Sequence, residues 1–107
     1  MAQQNLSKIT LSIVIVSYNT QKYSLDCLYS VFKSIHFGML DKSTEVVVVD
    51  NASKDGTVKS IRKKYPTVTV IHNDMNKGFA AANNQGIKKA KGEFILLLNS
   101  EDRKSVV

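Results

Sequence analysis

Glycine is missing from the first turn between an apolar run and the helical pattern that follows it. The polar turn SYNTQK that follows the apolar run LSIVIVS contains none, so neither G-x-G-x-x-G nor G-x-x-x-x-G-K-[ST] can be read there. A backbone without those glycines cannot close around a pyrophosphate, which argues against a dinucleotide fold and a P-loop. Cysteine occurs once, at Cys27, so no disulfide framework forms within the chain, and a reducing, cytoplasmic setting is the expectation. Inside a helical pattern, Cys27 is better explained as small apolar filling than as a nucleophile. His36 and His72 stand far apart with no cysteine or carboxylate at ligand spacing, so no zinc site is legible. No apolar run approaches the ~20 residues that span a bilayer, and MAQQNLSK is not followed by a signal-type core. A soluble domain is expected.

Acidic residues are also in deficit, nine against 15 Lys and Arg, for a net charge of +6. The excess gathers in IRKKY at 61–65 and IKKAK at 87–91. Such runs suit an anionic partner or an anionic membrane surface, although lysine on the outer face of an amphipathic helix is ordinary solvation. Aromatic residues do not interleave with them, which speaks against nucleic acid. With 43% hydrophobic and 22% charged residues in 107, the chain reads as one globular domain.

Apolar, β-branched runs at 11–17, 44–50, 68–72 and 93–99 read as buried strands. Between the first two, Leu25, Leu28, Val31, Phe32 and Ile35 give a helix over about 22–36. Ser53 and Asp55 are placed to cap a second helix with Val58, Ile61 and Tyr65 inward, ended by Pro66. A third, over 78–92, repeats Phe79, Ala82, Ile87 and Ala90, with Gly92 as its C-terminal cap. Strands and helices alternate as βαβαβαβ, which implies an α/β fold of Rossmann-like, three-layer αβα type with a mainly parallel sheet. The strand order expected for a doubly wound sheet is third-second-first-fourth.

Parallel strands put their carboxyl ends on one edge, where ligands bind. Four polar groups fall there: Ser17, Tyr18 and Asn19; Asp50, Asn51 and Ser53; Asn73, Asp74 and Asn76; Asn99, Ser100, Glu101 and Asp102. Turns and caps account for part of this, because short polar side chains bond to nearby backbone. They do not require an aromatic ring at Tyr18 or carboxylates at the strand tips. A ring to stack on a base, an acid for base or ribose donors, and carboxylates for a divalent cation describe a nucleotide site. Lacking a glycine cradle, it calls for a metal to neutralise phosphates, held by Glu101 or Asp102.

The segments IVIVSYNTQKY, EVVVVDNASKDGT, NDMNKGFAAANNQGI and GEFILLLNSED resemble, in order and spacing, the motifs of inverting GT-A glycosyltransferases of family two, in particular the rhamnosyltransferase-like branch. The resemblance implies the nucleotide-sugar-binding half of a GT-A domain over 11–102, between tails at 1–10 and 103–107, with the remainder of the domain and its general base beyond this sequence. It implies transfer from a nucleoside diphosphate sugar to a glycan or lipid-linked acceptor, with Mg²⁺ or Mn²⁺. The implied donor-binding residues are Ser17, Tyr18, Asn19, Asp50, Asn51, Lys77, Gly78, Asn83 and Asn99; the implied metal ligands are Glu101 and Asp102. The pattern Asn99-Ser100-Glu101-Asp102 departs from the branch's Asn-x-Asp, leaving the ligand open between the two acids. A non-catalytic nucleotide-binding module is the rival reading. The fourth strand, apolar on both faces yet expected at an edge, invites pairing with a second copy. A location at the cytoplasmic face of a membrane is compatible with the basic helices.

Overall fold

The computed structural model describes residues 8–99. The expectations for the outermost tail residues and for Glu101 and Asp102 lie outside the described residues. The elements run β1 (Leu11–Ser17), α1 (Gln21–Phe37), β2 (Thr44–Asp50), α2 (Thr57–Lys64), β3 (Thr69–His72), α3 (Phe79–Lys89) and β4 (Phe94–Asn99).

All strand pairs are parallel and the order is β3-β2-β1-β4, as expected for a doubly wound sheet. Because strand side chains alternate, β1 and β2 each feed two cores. Ile13, Ile15, Val46 and Val48 pack with Cys27, Leu28, Val31 and Ile35 of α1 and Ile61 of α2. On the opposite face, Val14, Val16, Val47 and Val49 pack with Ala82 of α3. This is why the two central strands carry near-continuous apolar runs. Cys27 belongs to the first core, and burial pushes its thiol up from the ordinary value, as befits filling rather than chemistry.

α2 stops where Pro66 requires: its C-cap Tyr65 is out of helical geometry, and the Tyr65 ring stacks on Phe32 with centroids 5.3 Å apart. Three local expectations are corrected. The buried stripe of α3 is Ala82, Asn83 and Gly86, whereas Phe79 and Ile87 are exposed. Large residues do not fit there because the helix backbone lies against the sheet, and a Cβ on Gly86 would collide with Val14 Cγ1. Gly92 is not the cap, since α3 ends at Lys89 with Ala90 as its C-cap; the Gly92 amide instead donates to Ser12 Oγ at 2.9 Å. Ser53 caps nothing, for reasons given below.

At the strand beginnings, Ser12 Oγ donates to Glu45 Oε2 at 2.5 Å, and the Lys91 amide reaches the same oxygen at 2.5 Å. This knot ties β1, β2 and the α3–β4 loop together at the edge opposite the strands' carboxyl ends. Beyond β1, most of β4 lacks cover among the described residues: Leu98 packs on the first core, but Phe94 and Leu96 on one side, and Ile95 and Leu97 on the other, are exposed. No helix among the described residues is long and apolar enough to cross a membrane.

Candidate functional site

The rim is built from the adjacent tips of β1 and β2, where Ser17 and Asp50 stand opposite each other in register. Asp50 is wholly buried. Its Oδ1 accepts the Ser17 hydroxyl at 2.8 Å and the Ser53 hydroxyl at 2.5 Å, while Oδ2 accepts the Ser53 amide at 2.8 Å. His72 Nε2, from the tip of β3, lies 3.8 Å from Oδ2. A charged carboxylate out of contact with water needs such donors, and these three tie the end of β2 to β1 and to its own following loop. The loop turns back through Ala52 at φ 70°, a left-handed conformation that costs a non-glycine residue roughly 1–2 kcal/mol. Strain of this kind persists where surrounding bonds hold it, as the Ser53 amide does here.

The loops after β1 and β2 are laced to each other. The Asn19 amide donates to Ser53 Oγ at 2.7 Å, and the Lys54 amide donates to Asn19 Oδ1 at 2.8 Å. Asn19 itself sits at φ 49°, which asparagine tolerates. One step further, Asp55 Oδ2 accepts the Gln21 amide at 3.1 Å, Oδ1 accepts the Thr57 amide at 3.1 Å, and the Thr57 hydroxyl bonds to Oδ1 as well. Burial pushes the Asp55 carboxyl up, but the bonds from Thr57 and Gln21 outweigh it and hold the group below its ordinary value. The N-cap positions themselves are Thr20 and Gly56, and Asp55, standing outside them, accepts the first amide of α1 and of α2 together. Ser53 is spent on Asp50 and Asn19.

A network of amide side chains fixes the third loop. Asn51 Nδ2 donates to the Gly78 carbonyl at 3.1 Å, and Asn51 Oδ1 accepts the Lys77 amide at 3.3 Å and Asn73 Nδ2 at 3.0 Å. Asn73 and Gln85 exchange a reciprocal pair at 2.8 and 2.9 Å. Gly78, at φ 87° and ψ 164°, holds a conformation essentially confined to glycine. Asn51 thus links the tip of β2 to the loop that leads into α3.

Of the expected donor-binding residues, Ser17, Tyr18, Asn19, Asp50 and Asn51 form one continuous rim, joined to Lys77 and Gly78 through Asn51. Asn99 extends this rim, since it pairs with Val16 one place before the tip of β1. The Tyr18 side chain is 44% exposed and is the large ring presented there. Asn83 is buried on α3, and among the described residues its Oδ1 has no hydrogen-bond partner. Ser53 and Asn73, expected at the rim without a donor-binding role, and Gln85, which sequence reasoning did not single out, are structural members of the site. Their role depends on which loops adjoin, and only the strand order fixes that.

No group of three or more His, Cys, Asp or Glu able to hold a metal occurs among the described residues. Asp50 and Asp55 do not fit the task. Their oxygens are already turned to hydroxyl and amide protons, so neither offers the open carboxylate a hard cation prefers.

Comparison with known proteins points in one direction. Residues 12–103 match the family model described as glycosyl transferase family 2. The chain is 32% identical over 95 residues to the glycosyltransferase GlyG of Streptococcus pneumoniae serotype 4, a match that covers 86% of this chain and 30% of that protein. It superposes on the crystal structure of S. aureus TarS 1-349 with a TM-score of 0.72 and 29% identity, covering 88% of this chain and 28% of that one. TarS 1-349 is also known in complex with UDP-GlcNAc. The mannosyltransferase PcManGT of Pyrobaculum calidifontis, in complex with GDP-Man and Mn²⁺, shares the fold with a TM-score of 0.74 at 24% identity, covering 88% of this chain and 28% of that one. The chain spans less than a third of the length of each of these relatives.

Proposed function

This chain belongs to glycosyl transferase family 2, and from that premise we propose that it is the donor-binding portion of an enzyme transferring a sugar from a nucleoside diphosphate to an acceptor hydroxyl, with inversion. The observation that carries this reading is the rim itself, where the exposed Tyr18 ring stands beside a buried, fully bonded Asp50 at the carboxyl edge of a parallel sheet. The complex of TarS with UDP-GlcNAc supports a nucleotide sugar as the ligand class.

In this reading the base of the donor stacks on Tyr18. Asp50 serves first as a positioning residue: it fixes Ser17 and Ser53, and through Ser53 the Asn19 loop. Direct contact between Asp50 and the donor requires the Ser53 loop to move off it. Lys77, exposed on the loop anchored by Asn51, supplies positive charge toward the diphosphate. Glu101 and Asp102, expected to follow β4, would hold Mg²⁺ or Mn²⁺, which when bound neutralises charge developing on the leaving diphosphate. Inversion by direct displacement needs a base to deprotonate the attacking hydroxyl, and no described residue is assigned that role. The acceptor is a glycan or a lipid-linked sugar.

Titrating the chain with UDP, GDP and dTDP, with and without Mn²⁺, tests this reading. One of the three should bind more tightly with the metal, and Tyr18→Ala should weaken binding about tenfold, the worth of one ring–base stack. Binding indifferent to Mn²⁺ would favour a non-catalytic nucleotide module. Binding of none would remove the proposal.

A further inference from the structure

α2 carries its cations away from the core. Thr57, Val58 and Ile61 are buried, whereas Lys59, Arg62 and Lys63, spaced i, i+3 and i+4, share a solvent-facing stripe. Between this stripe, the β2–α2 loop and the tip of β3 lies an open hollow of about 630 Å³. Its ionisable lining is Lys54, Lys59, Arg62, Lys63 and His72, without a carboxylate.

Ordinary solvation of a helix face does not account for this arrangement. Two cations elsewhere in the fold find acids, Lys22 with Asp26 and Lys8 with Glu93, and what distinguishes the cations of the hollow is their convergence. Among the described residues no carboxylate pairs with Lys54, Lys59, Arg62 or Lys63. Lys59 and Lys63 repel at i, i+4 spacing. The helix dipole rewards Arg62 and Lys63 in the last turn, but it opposes Lys59 in a first turn that has no acid, and Lys54 just before it. Asp55, the nearest acid in sequence, is committed to Gln21 and Thr57 and does not line the hollow. The four cations also come from the β2–α2 loop and from α2 and converge on a concavity, which focuses their field instead of dispersing it.

We propose that this hollow binds phosphate-bearing anions at a site beside the donor rim, with Ser53 and His72 between the two. Arg62 offers a planar fork to phosphate oxygens, and the lysines act as point charges around it. His72 is the wall shared with the rim, its Nε2 lying 3.8 Å from Asp50 Oδ2. The phosphate can arrive as a lipid headgroup or as a soluble phosphate compound.

The test measures binding of the 107-residue chain to inorganic pyrophosphate by calorimetry, and to phosphatidylcholine vesicles with and without phosphatidylglycerol by sedimentation. The variant Lys59→Gln/Arg62→Gln is compared with Lys88→Gln/Lys89→Gln, which removes equal charge from exposed positions on α3. Both pairs leave the cores untouched, and circular dichroism confirms their folding. The α2 pair should weaken binding to at least one probe by about tenfold, while the α3 pair retains it. Loss confined to vesicles identifies a lipid headgroup, and loss confined to pyrophosphate identifies a soluble phosphate. Equal loss in both pairs, or no binding to either probe by the unaltered chain, overturns the site. UDP binding by the α2 pair separates this result from the donor reading, since the rim residues are intact in it.

Discussion

Asp55 Oδ2 accepts the backbone amide of Gln21 at 3.1 Å, so that the side chain before α2 also closes the start of α1. The other oxygen serves Thr57, and the first amides of two helices therefore share one carboxylate, as a shared cap would. Asp55→Ala should cost about 1–2 kcal/mol in urea unfolding, at the upper end for a cap because two sets of amides are left open. Acid should reveal the same link. The folded carboxyl sits below its ordinary value of 3.8, so the unfolded chain binds more protons in acid and stability falls as pH drops below that value. The variant should lose this part of the acid dependence; an unchanged acid limb would refute the shared cap.

The Asp50 network makes a sharper case. Replacing Asp50 by Ala strands the Ser17 hydroxyl and the Ser53 amide beside a cavity, and should cost about 2–4 kcal/mol. Ser53→Ala should cost about 1–2 kcal/mol, because Asp50 keeps the Ser17 hydroxyl and the Ser53 amide. In a double-mutant cycle the two losses should fall well short of additive, since both break one network. Additive losses would show that Ser53 does not hold the carboxylate.

How much of this was legible follows from range along the chain. Strands apolar on both faces announced their own burial, and the ranges expected for β1 and β2 are those observed. Strand order followed from the class of fold, and it alone brought Ser17, Asp50 and Asn51 to one rim. The reciprocal Asn73–Gln85 pair and the Ser12–Glu45–Gly92 knot were invisible because they depend on register and on where loops land. Ser53 was misread for a related reason. A serine before a helix resembles a cap until the neighbouring strand supplies Asp50 and Asn19 as better partners. On α3 the apolar period pointed to Phe79, Ala82 and Ile87; Ala82 is buried as expected, yet close approach to the sheet selected Asn83 and Gly86 in place of the two large residues.

That close approach can be tested directly. Gly86→Ala places a methyl against Val14, which is fully buried and has nowhere to go. Overpacking should destabilise by about 1–3 kcal/mol. Val14→Ala alone should also destabilise, by emptying part of the same contact. The double variant should be more stable than the sum of the two losses predicts, because the space vacated at position 14 receives the methyl at position 86. If the losses simply add, α3 does not rest on the sheet at Gly86.

The β4 edge bears on how the chain behaves in solution. Leu96 and Leu97 point to opposite faces and are each 45% exposed, and Phe94 is 66% exposed, so both faces over most of this strand and its outer hydrogen-bonding row lack cover among the described residues. An apolar, unpaired edge is a template for another strand, and the available one in a pure sample is β4 of a second copy. Sedimentation should therefore show a mass that rises with concentration above 11.9 kDa. Leu97→Lys places a charge on that edge, where its stem can reach water, and should return the mass to that of one chain with little loss of stability. A single-chain mass for the unaltered protein at every concentration would mean that the edge is blocked. A rising mass unmoved by Leu97→Lys would place the contact elsewhere.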